Sequence, residues 1–342
     1  MAQSAMEEAL QLTPFQDTDY PALSDFLTAL RPGQPTSAAA MRQFDAGRTA
    51  GEHHARVLAW DGDALVGVAE TERCRQFTRP GWYGLHLHAS DPAVRNTLEH
   101  AALDLLHPLS PTVLHTTVSE SWPEHGWLTQ RGWHEHERTW LSHLDLTSFQ
   151  PEHFTARLAR AQTEGIEVRT LSDLGWDGSE HLQRRVYDLT VQLLADVPTT
   201  DPVLPWPFEV WRDRVLGHPD FTPSGPLIAV SGSEWVGLTE LYLPRREVPG
   251  LLHQGLTGVR REWRGKGVAW ALKLTAAARA RAQGWTAVRT GNHTVNHEML
   301  GINAALGFVR GTARVVLIRT WPEVRATAPV AAATVAAPPS GG

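Results

Sequence analysis

The chain has 342 residues, room for about two domains of ordinary size, and 42% of them are hydrophobic, enough for globular cores. A net charge of −6 with no basic run argues against a polyanionic partner such as nucleic acid. No apolar run reaches the ~18 residues of a membrane span, and an opening that carries Glu7 and Glu8 lacks the layout of a signal peptide. A soluble, cytoplasmic protein, monomer or homodimer, is the expectation.

From Leu10 to Asp17 apolar and polar residues alternate as in a strand, and the run ends on an Asp suited to capping a helix. Trp60-Asp61-Gly62-Asp63-Ala64-Leu65-Val66-Gly67 reads as a strand, a tight turn whose Gly supplies positive φ, and a second strand. Cys74, the single cysteine, excludes intramolecular disulfides and thiolate zinc sites and reads as a small packing residue. His86-Leu87-His88 and His134-Glu135-His136 each put two imidazoles on one face of a strand. Neither pair has a third ligand nearby in sequence, so no metal is expected. Gln130-Arg131-Gly132-Trp133 reads as a helix end, a Gly cap and an aromatic anchor. Residues 151–165 are polar, with a helix over 156–162 that reads as a linker.

The pattern then begins again. A strand is expected over 166–171, helices over 180–195 and 208–216, and strands over 227–230, 235–243 and 251–260. A helix over 267–283, a strand over 287–290, a helix over 296–306 and a strand over 314–318 complete it. Val230-Ser231-Gly232-Ser233-Glu234-Trp235-Val236-Gly237 repeats the first hairpin, with Glu240 placed as Glu70 is, and Ala305-Leu306-Gly307-Phe308 repeats the Gly-aromatic close. The organisation is therefore a diverged duplication: domains over 8–147 and 166–322, a linker helix over 148–165, and a tail over 323–342 too biased in composition to bury a face. The fold class is α/β (α+β in some schemes). Each domain is a mixed, mostly antiparallel twisted sheet flanked by helices.

Chemistry concentrates where a strand ending Thr257-Gly258-Val259-Arg260 runs through a turn into Arg264-Gly265-Lys266-Gly267-Val268-Ala269 and a helix. The glycines let backbone approach a ligand. The first N–H groups of a helix have no intrahelical partner and favour an anion, and Arg264 adds positive charge. A diphosphate satisfies all three features. The spacing fits neither the phosphate loop of nucleoside triphosphatases nor a dinucleotide fingerprint.

Arg264-x-x-Gly267-x-Ala269, with the downstream strand, Asn296, helix and Leu306-Gly307-Phe308 close, resembles the GNAT superfamily of acyl-CoA-dependent N-acyltransferases, in a tandem two-domain form. The resemblance implies acetyl-CoA as acyl donor and an amine of a small molecule as acceptor. It implies that backbone groups of Thr257, Gly258 and Val259 pair with the pantetheine arm, the Val259 N–H polarising the thioester carbonyl. Arg264, Gly265, Lys266, Gly267, Val268 and Ala269 would hold the pyrophosphate, and Asn296 and Asn303 would contact the coenzyme. Asn303 stands where the family's acid tyrosine stands; an amide donates a hydrogen bond but gives up no proton near neutral pH, so the catalytic part left to it is to stabilise the departing thiolate, or another group or water serves as acid.

Glu240 and His253, on adjacent strands, are candidates to deprotonate the amine, and Tyr242, sharing a face with Glu240, is the substitute acid. Trp206, Phe208 and Trp211 fall in the insertion that in this fold overhangs the acceptor, with Trp211 expected to pack against the other domain. The first half lacks the glycine loop: at the equivalent place it has Ser90-Asp91-Pro92-Ala93-Val94-Arg95, whose carboxylate repels a diphosphate. One coenzyme site per chain is expected, in the second half. A coenzyme-binding protein without catalysis is the alternative reading.

Overall fold

The computed structural model describes residues 10–48, 51–73, 79–201, 203–218, 221–242 and 248–321; Cys74, Leu243 and the tail 323–342 lie outside them. In chain order the first half forms β1 (Gln11–Pro14), α1 (Tyr20–Leu30), α2 (Ala38–Ala46), β2 (His54–Asp61), β3 (Ala64–Glu72), β4 (Trp82–Ala89), α3 (Pro92–Leu106), β5 (Val113–Ser119), α4 (Pro123–Thr129) and β6 (His134–Asp145). The second forms α5 (Thr155–Thr163), β7 (Ile166–Thr170), α6 (Glu180–Leu194), α7 (Phe208–Trp211), β8 (Leu227–Ser231), β9 (Glu234–Tyr242), β10 (Leu251–Val259), α8 (Val268–Ala282), β11 (Ala287–His293), α9 (His297–Ala305) and β12 (Val309–Thr320). Both hairpins and both Gly-aromatic closes fall where the sequence puts them. Among the described residues no helix is long and apolar enough to cross a membrane.

By contacts the chain divides into residues 1–136 with 315–342, and residues 137–314. The division differs from the boundary at 147, and the reason is strand pairing. β6 runs antiparallel to β11, from Thr139 opposite His293 to Asp145 opposite Ala287, so most of the first half's last strand belongs to the second unit. Residues 148–165 are likewise part of that unit rather than a link. Ala161 on α5 is 1% exposed and shares a core with Ile166, Val268 and Leu272.

In the first unit β1, β2, β3 and β4 are antiparallel neighbours, while β4 and β5 run parallel only over Trp82–Gly84 and Val113–His115. In the second, the strand order from β6 is β6-β11-β10-β9-β8-β7. β10 and β11 are the parallel pair here, matched only from Leu251 with Ala287 to Gln254 with Thr290. Both strands continue beyond that point, β10 to Val259 and β11 to His293, so they separate and open a gap in the sheet.

α6 and α7 cover one face of the second sheet over a core that includes Leu189, Leu193, Trp235 and Leu238. Trp211 is buried in that same core, against Tyr187 and Phe208, and so packs within its own unit. α8 and α9 cover the other face, with Leu144, Leu274, Leu306 and Phe308 in one core cluster.

Candidate active site

The gap between β10 and β11 opens onto a cleft of about 450 Å³, lined by the ends of α5 and α6, by Thr257, Gly258 and Val259 of β10, by the loop into α8 and by α9. Its base is set by strand geometry. The Arg260 N–H donates to Val236 O across β9. Strand amides alternate in direction, so those of Val259 and Thr257 point the other way, toward the gap. Gly258 is obligatory here for room: a Cβ would stand 2.8 Å from Leu193 Cβ on α6.

The loop ends in Gly265 (φ +76°) and Gly267 (φ +86°), left-handed conformations that side chains adopt only under strain. Gly267 caps α8, and no side chain caps that helix; the backbone N–H groups after it have no partner from the loop. Val268, Ala269 and Trp270 line the cleft, so these free amides and the positive end of a 15-residue helix face it. The guanidinium of Arg160 lies beside the loop, donating to Gly265 O at 2.8 Å, and Arg157 lies over the Trp270 ring, 4.8 Å from its centroid. Both arginines line the cleft.

Of the residues the sequence assigns to the coenzyme, Thr257, Gly258, Val259, Arg264, Gly265, Gly267, Val268, Ala269 and Asn296 meet in this one cleft. Two do not reach it. The ammonium of Lys266 turns back over the Trp263 ring, 4.2 Å from its centroid. Asn303 is 2% exposed and points inward, its Nδ2 donating to Asn292 Oδ1 at 2.6 Å. Arg264 lines the cleft with its charge already engaged, by Asp196 at 2.6 Å and by Val259 O at 3.2 Å. Arg261 also binds Asp196 and, with Arg264, holds that carboxyl below its ordinary range. Asn296 caps α9, accepting from the Met299 N–H at 3.2 Å.

Glu240, Tyr242 and His253 form a second cluster, on the sheet face that α6 and α7 cover. Leu238, Glu240 and Tyr242 stand at every second residue of β9 and so share that face, with His253 opposite Tyr242 on β10. A β-bulge between Gln254 and Thr257 turns the Leu256 N–H toward Glu240, whose Oε2 accepts it at 3.1 Å. A Cβ on Gly255 would meet that oxygen at 2.7 Å and Tyr242 Cε1 at 2.8 Å, so the cluster exists only because residue 255 has no side chain. Burial raises the Glu240 carboxyl against the opposing Leu256 N–H. Burial and then the Glu240 charge push Tyr242 up to about 12. The His253 ring, centred 5.0 Å from that of Tyr242, is pulled down to about 4 by burial and by Arg289 and Arg314.

The first unit is built differently at the corresponding place. Asp91 caps α3 with its own carboxylate, Oδ1 accepting from the Ala93 N–H at 2.7 Å, and so occupies the position an anion would take. Behind it the buried Arg95 donates to Ala89 O at 2.6 Å, and Glu124 pairs with Arg31 at 2.6 Å and Arg95 at 3.7 Å. Trp127 packs under Arg131, 4.0 Å from its ring centroid. Of the histidine pairs, His86 meets Glu72 at 3.3 Å and the half-buried His88 is lowered to about 4 by desolvation. Among the described residues no group of three or more His, Cys, Asp or Glu side chains could hold a metal ion.

Sequence reasoning passed over Arg157, Arg160 and Asp196. The arginines carried a signal, two cations one turn apart on a polar helix; for Asp196, near the end of α6, nothing in the sequence distinguished it.

A mostly antiparallel sheet whose one parallel pair is followed by a helix is the fold of the GNAT N-acetyltransferases; each unit has it, and only the second caps that helix with glycine. A tandem GNAT protein from the clavulanic acid biosynthesis pathway superposes with a TM-score of 0.66 at 18% identity, covering 91% of this chain and 98% of that one. A GCN5-related N-acetyltransferase from Sphaerobacter thermophilus gives 0.62 at 17% identity, covering 91% and 95%. A fungal GCN5-related glucosamine N-acetyltransferase region gives 0.64 at 12% identity, covering 93% of this chain and 39% of that one. No family model matches the sequence, and no curated protein matches it.

Proposed function

We propose that the chain transfers an acetyl group from acetyl-CoA to an amine of a small-molecule acceptor by direct attack. The observation that carries this reading is the side-chain-free N-terminus of α8 beneath Gly265 and Gly267, opening into the gap between β10 and β11. The diphosphate takes the free amides from Val268 onward, within reach of Arg157 and Arg160. The pantetheine arm lies along β10 as an added strand, on the amides of Thr257 and Val259, which polarise its carbonyls.

The acceptor enters from the α6 and α7 face. Its amine passes a proton to Glu240, directly or through water, and its nitrogen attacks the thioester carbon. The N–C bond forms, the C–S bond breaks, and the departing thiolate takes a proton. Tyr242, 45% exposed at the end of β9 and protonated at neutral pH, supplies that proton in this scheme. Asn303, turned inward to Asn292, takes no part. The glucosamine N-acetyltransferase region among the structural neighbours acts on an amine, in line with an amine acceptor here.

The test is calorimetric titration with acetyl-CoA, followed by free-thiol release across a panel of amines. Saturable binding at one site and thiol release that Glu240→Gln abolishes are expected. No heat of binding would overturn the reading. Binding without turnover on every amine would leave a coenzyme-binding protein without catalysis.

A further inference from the structure

Lys273 is the least expected residue of the second unit. It sits in the middle of α8, turned into the core at 2% exposure, with Nζ 5.1 Å from the centroid of the Phe308 ring. A buried ammonium is costly unless it is paired, and among the described residues no carboxylate pairs with it. It donates instead to Gln254 Oε1 at 2.5 Å. Gln254, itself 2% exposed, donates from Nε2 to Thr239 Oγ1 at 3.1 Å, and Thr239 Oγ1 lies 2.7 Å from Thr257 Oγ1. Gln254 and Thr257 are an odd number of residues apart, so a regular strand would put them on opposite faces. The bulge between them brings both to the α8 side.

The chain of bonds has a fixed direction. An ammonium has three donors and no acceptor, so it decides which way the Gln254 amide lies: oxygen toward Lys273, NH₂ toward Thr239. Thr239 is 0% exposed and already accepts from Gln254, so among the described residues the acceptor left for its own hydrogen is Thr257 Oγ1. Thr257 therefore accepts from within, and its hydroxyl hydrogen is the free end of the chain. Thr257 lines the cleft.

We infer that Lys273, acting through Gln254 and Thr239, fixes the Thr257 hydroxyl as a hydrogen-bond donor to a carbonyl oxygen of the bound acyl-pantetheine arm. The inference rests on the acetyl-CoA reading above and adds to it: Thr257 touches the ligand by its side chain as well as its backbone, and Lys273, Gln254 and Thr239 are positioning residues. A carbonyl is the ligand chemistry that a fixed hydroxyl donor selects. Both the thioester and the amides of the arm offer one. Without the lysine the amide can turn over, the order of donors reverses, and the hydroxyl loses its fixed direction.

The experiment is calorimetry at pH 6, below the value of about 7 to which burial lowers Lys273. The titrants are acetyl-CoA and S-ethyl-CoA, a thioether that lacks the thioester carbonyl. Thr257→Val is expected to weaken acetyl-CoA binding about fivefold, the effect of one neutral hydrogen bond, and Thr257→Ser to restore it. If the thioester carbonyl is the acceptor, S-ethyl-CoA binds Thr257→Val as it binds the wild type; if an arm amide is, both ligands lose equally. Lys273→Met, and Gln254→Met should the first variant fail to fold, are expected to reproduce the Thr257→Val loss. Combining either with Thr257→Val adds nothing further. Wild-type affinity in Thr257→Val, or additive losses in the double variant, would overturn the inference while leaving the coenzyme site standing. No binding by the wild type would remove that site and this inference together.

Discussion

Replacing Gly267 by Asp separates the two things this residue does. Its φ of +86° costs an L-residue about 1–2 kcal/mol. Space is not an obstacle, since the nearest atom to an added Cβ is Ala161 N at 3.5 Å. A carboxylate at the first turn of α8 returns about 0.3–1 kcal/mol through the helix dipole. The net loss of stability is about 1 kcal/mol, a fall of roughly 2–4 °C in melting temperature for units of this size. Binding responds on another scale. A unit charge about 5 Å from a phosphate charge opposes it by about 0.8 kcal/mol at the dielectric of water and about 3 kcal/mol at an effective value near 20. With about two charges on a diphosphate, the acetyl-CoA Kd should rise at least tenfold. Thermal melts and calorimetry on Gly267→Asp, with Gly267→Ala to isolate the backbone strain, read the two effects separately. A folded Gly267→Asp protein that binds acetyl-CoA within twofold of the wild type would refute the assignment of this helix terminus to a diphosphate.

Gly255→Ala drives a methyl group against Glu240 Oε2 and Tyr242 Cε1, so acetyl transfer should fall at least tenfold, by about 1.4 kcal/mol, with the acetyl-CoA Kd little changed; equal losses in both would place Glu240 in the coenzyme site instead. Arg157→Ala and Arg160→Ala should each weaken coenzyme binding a few-fold, by a margin that shrinks in high salt, because the interaction is between exposed charges. Arg95→Met removes the buried donor to Ala89 O while Arg31 still pairs with Glu124, and should cost about 1–3 kcal/mol of stability with no change in coenzyme affinity; a change in affinity would put a coenzyme site in the first unit. The Glu240 carboxyl is raised above its ordinary 4.5, so the transfer rate should climb with pH over a range displaced upward from that value, since the ionised form is the base. The same shift has the opposite sign for stability: the folded state holds the proton more tightly, so this group's contribution declines as pH rises through its raised pKa. A rate profile that Glu240→Gln leaves unmoved would exclude it as the base.

Local signals were the legible ones. The two hairpins, the glycine caps and the loop at 264–269 are all written within a few residues, because turn conformation and helix capping are decided locally. The acceptor-side cluster was half legible: strand alternation put Glu240 and Tyr242 on one face, but the bulge that turns the Leu256 N–H onto Glu240 has no local signature. Partnership across the fold was not legible. A strand at 137–145 can be read from its pattern, yet nothing in it says that β11 is its neighbour. The helix α5 reads as polar and detached, and only its seat against α8 makes Arg157 and Arg160 part of a cleft. Asn303 sits in the expected place in sequence and still faces away, because Asn292 gives it a buried partner. Lys273 could have been noticed as a lone cation among Val268, Ala271, Leu272 and Leu274, all buried.

The membership of β12 bears on the order in which the protein can form. Val315 and Leu317 are fully buried, Arg319 pairs with Glu99 at 2.9 Å, and the Trp321 N–H donates to Thr112 O, all within the first unit. These residues leave the ribosome after every part of the second unit. β12 is the neighbour of β5, so during synthesis the unit that begins first lacks its final strand until last, holding an unpaired β5 edge through the translation of roughly 180 intervening residues. The second unit, complete once β12 has started, can close while the chain is still being made. The half without the glycine loop would then be the one most dependent on chaperones, and the one where slow folding and aggregation begin.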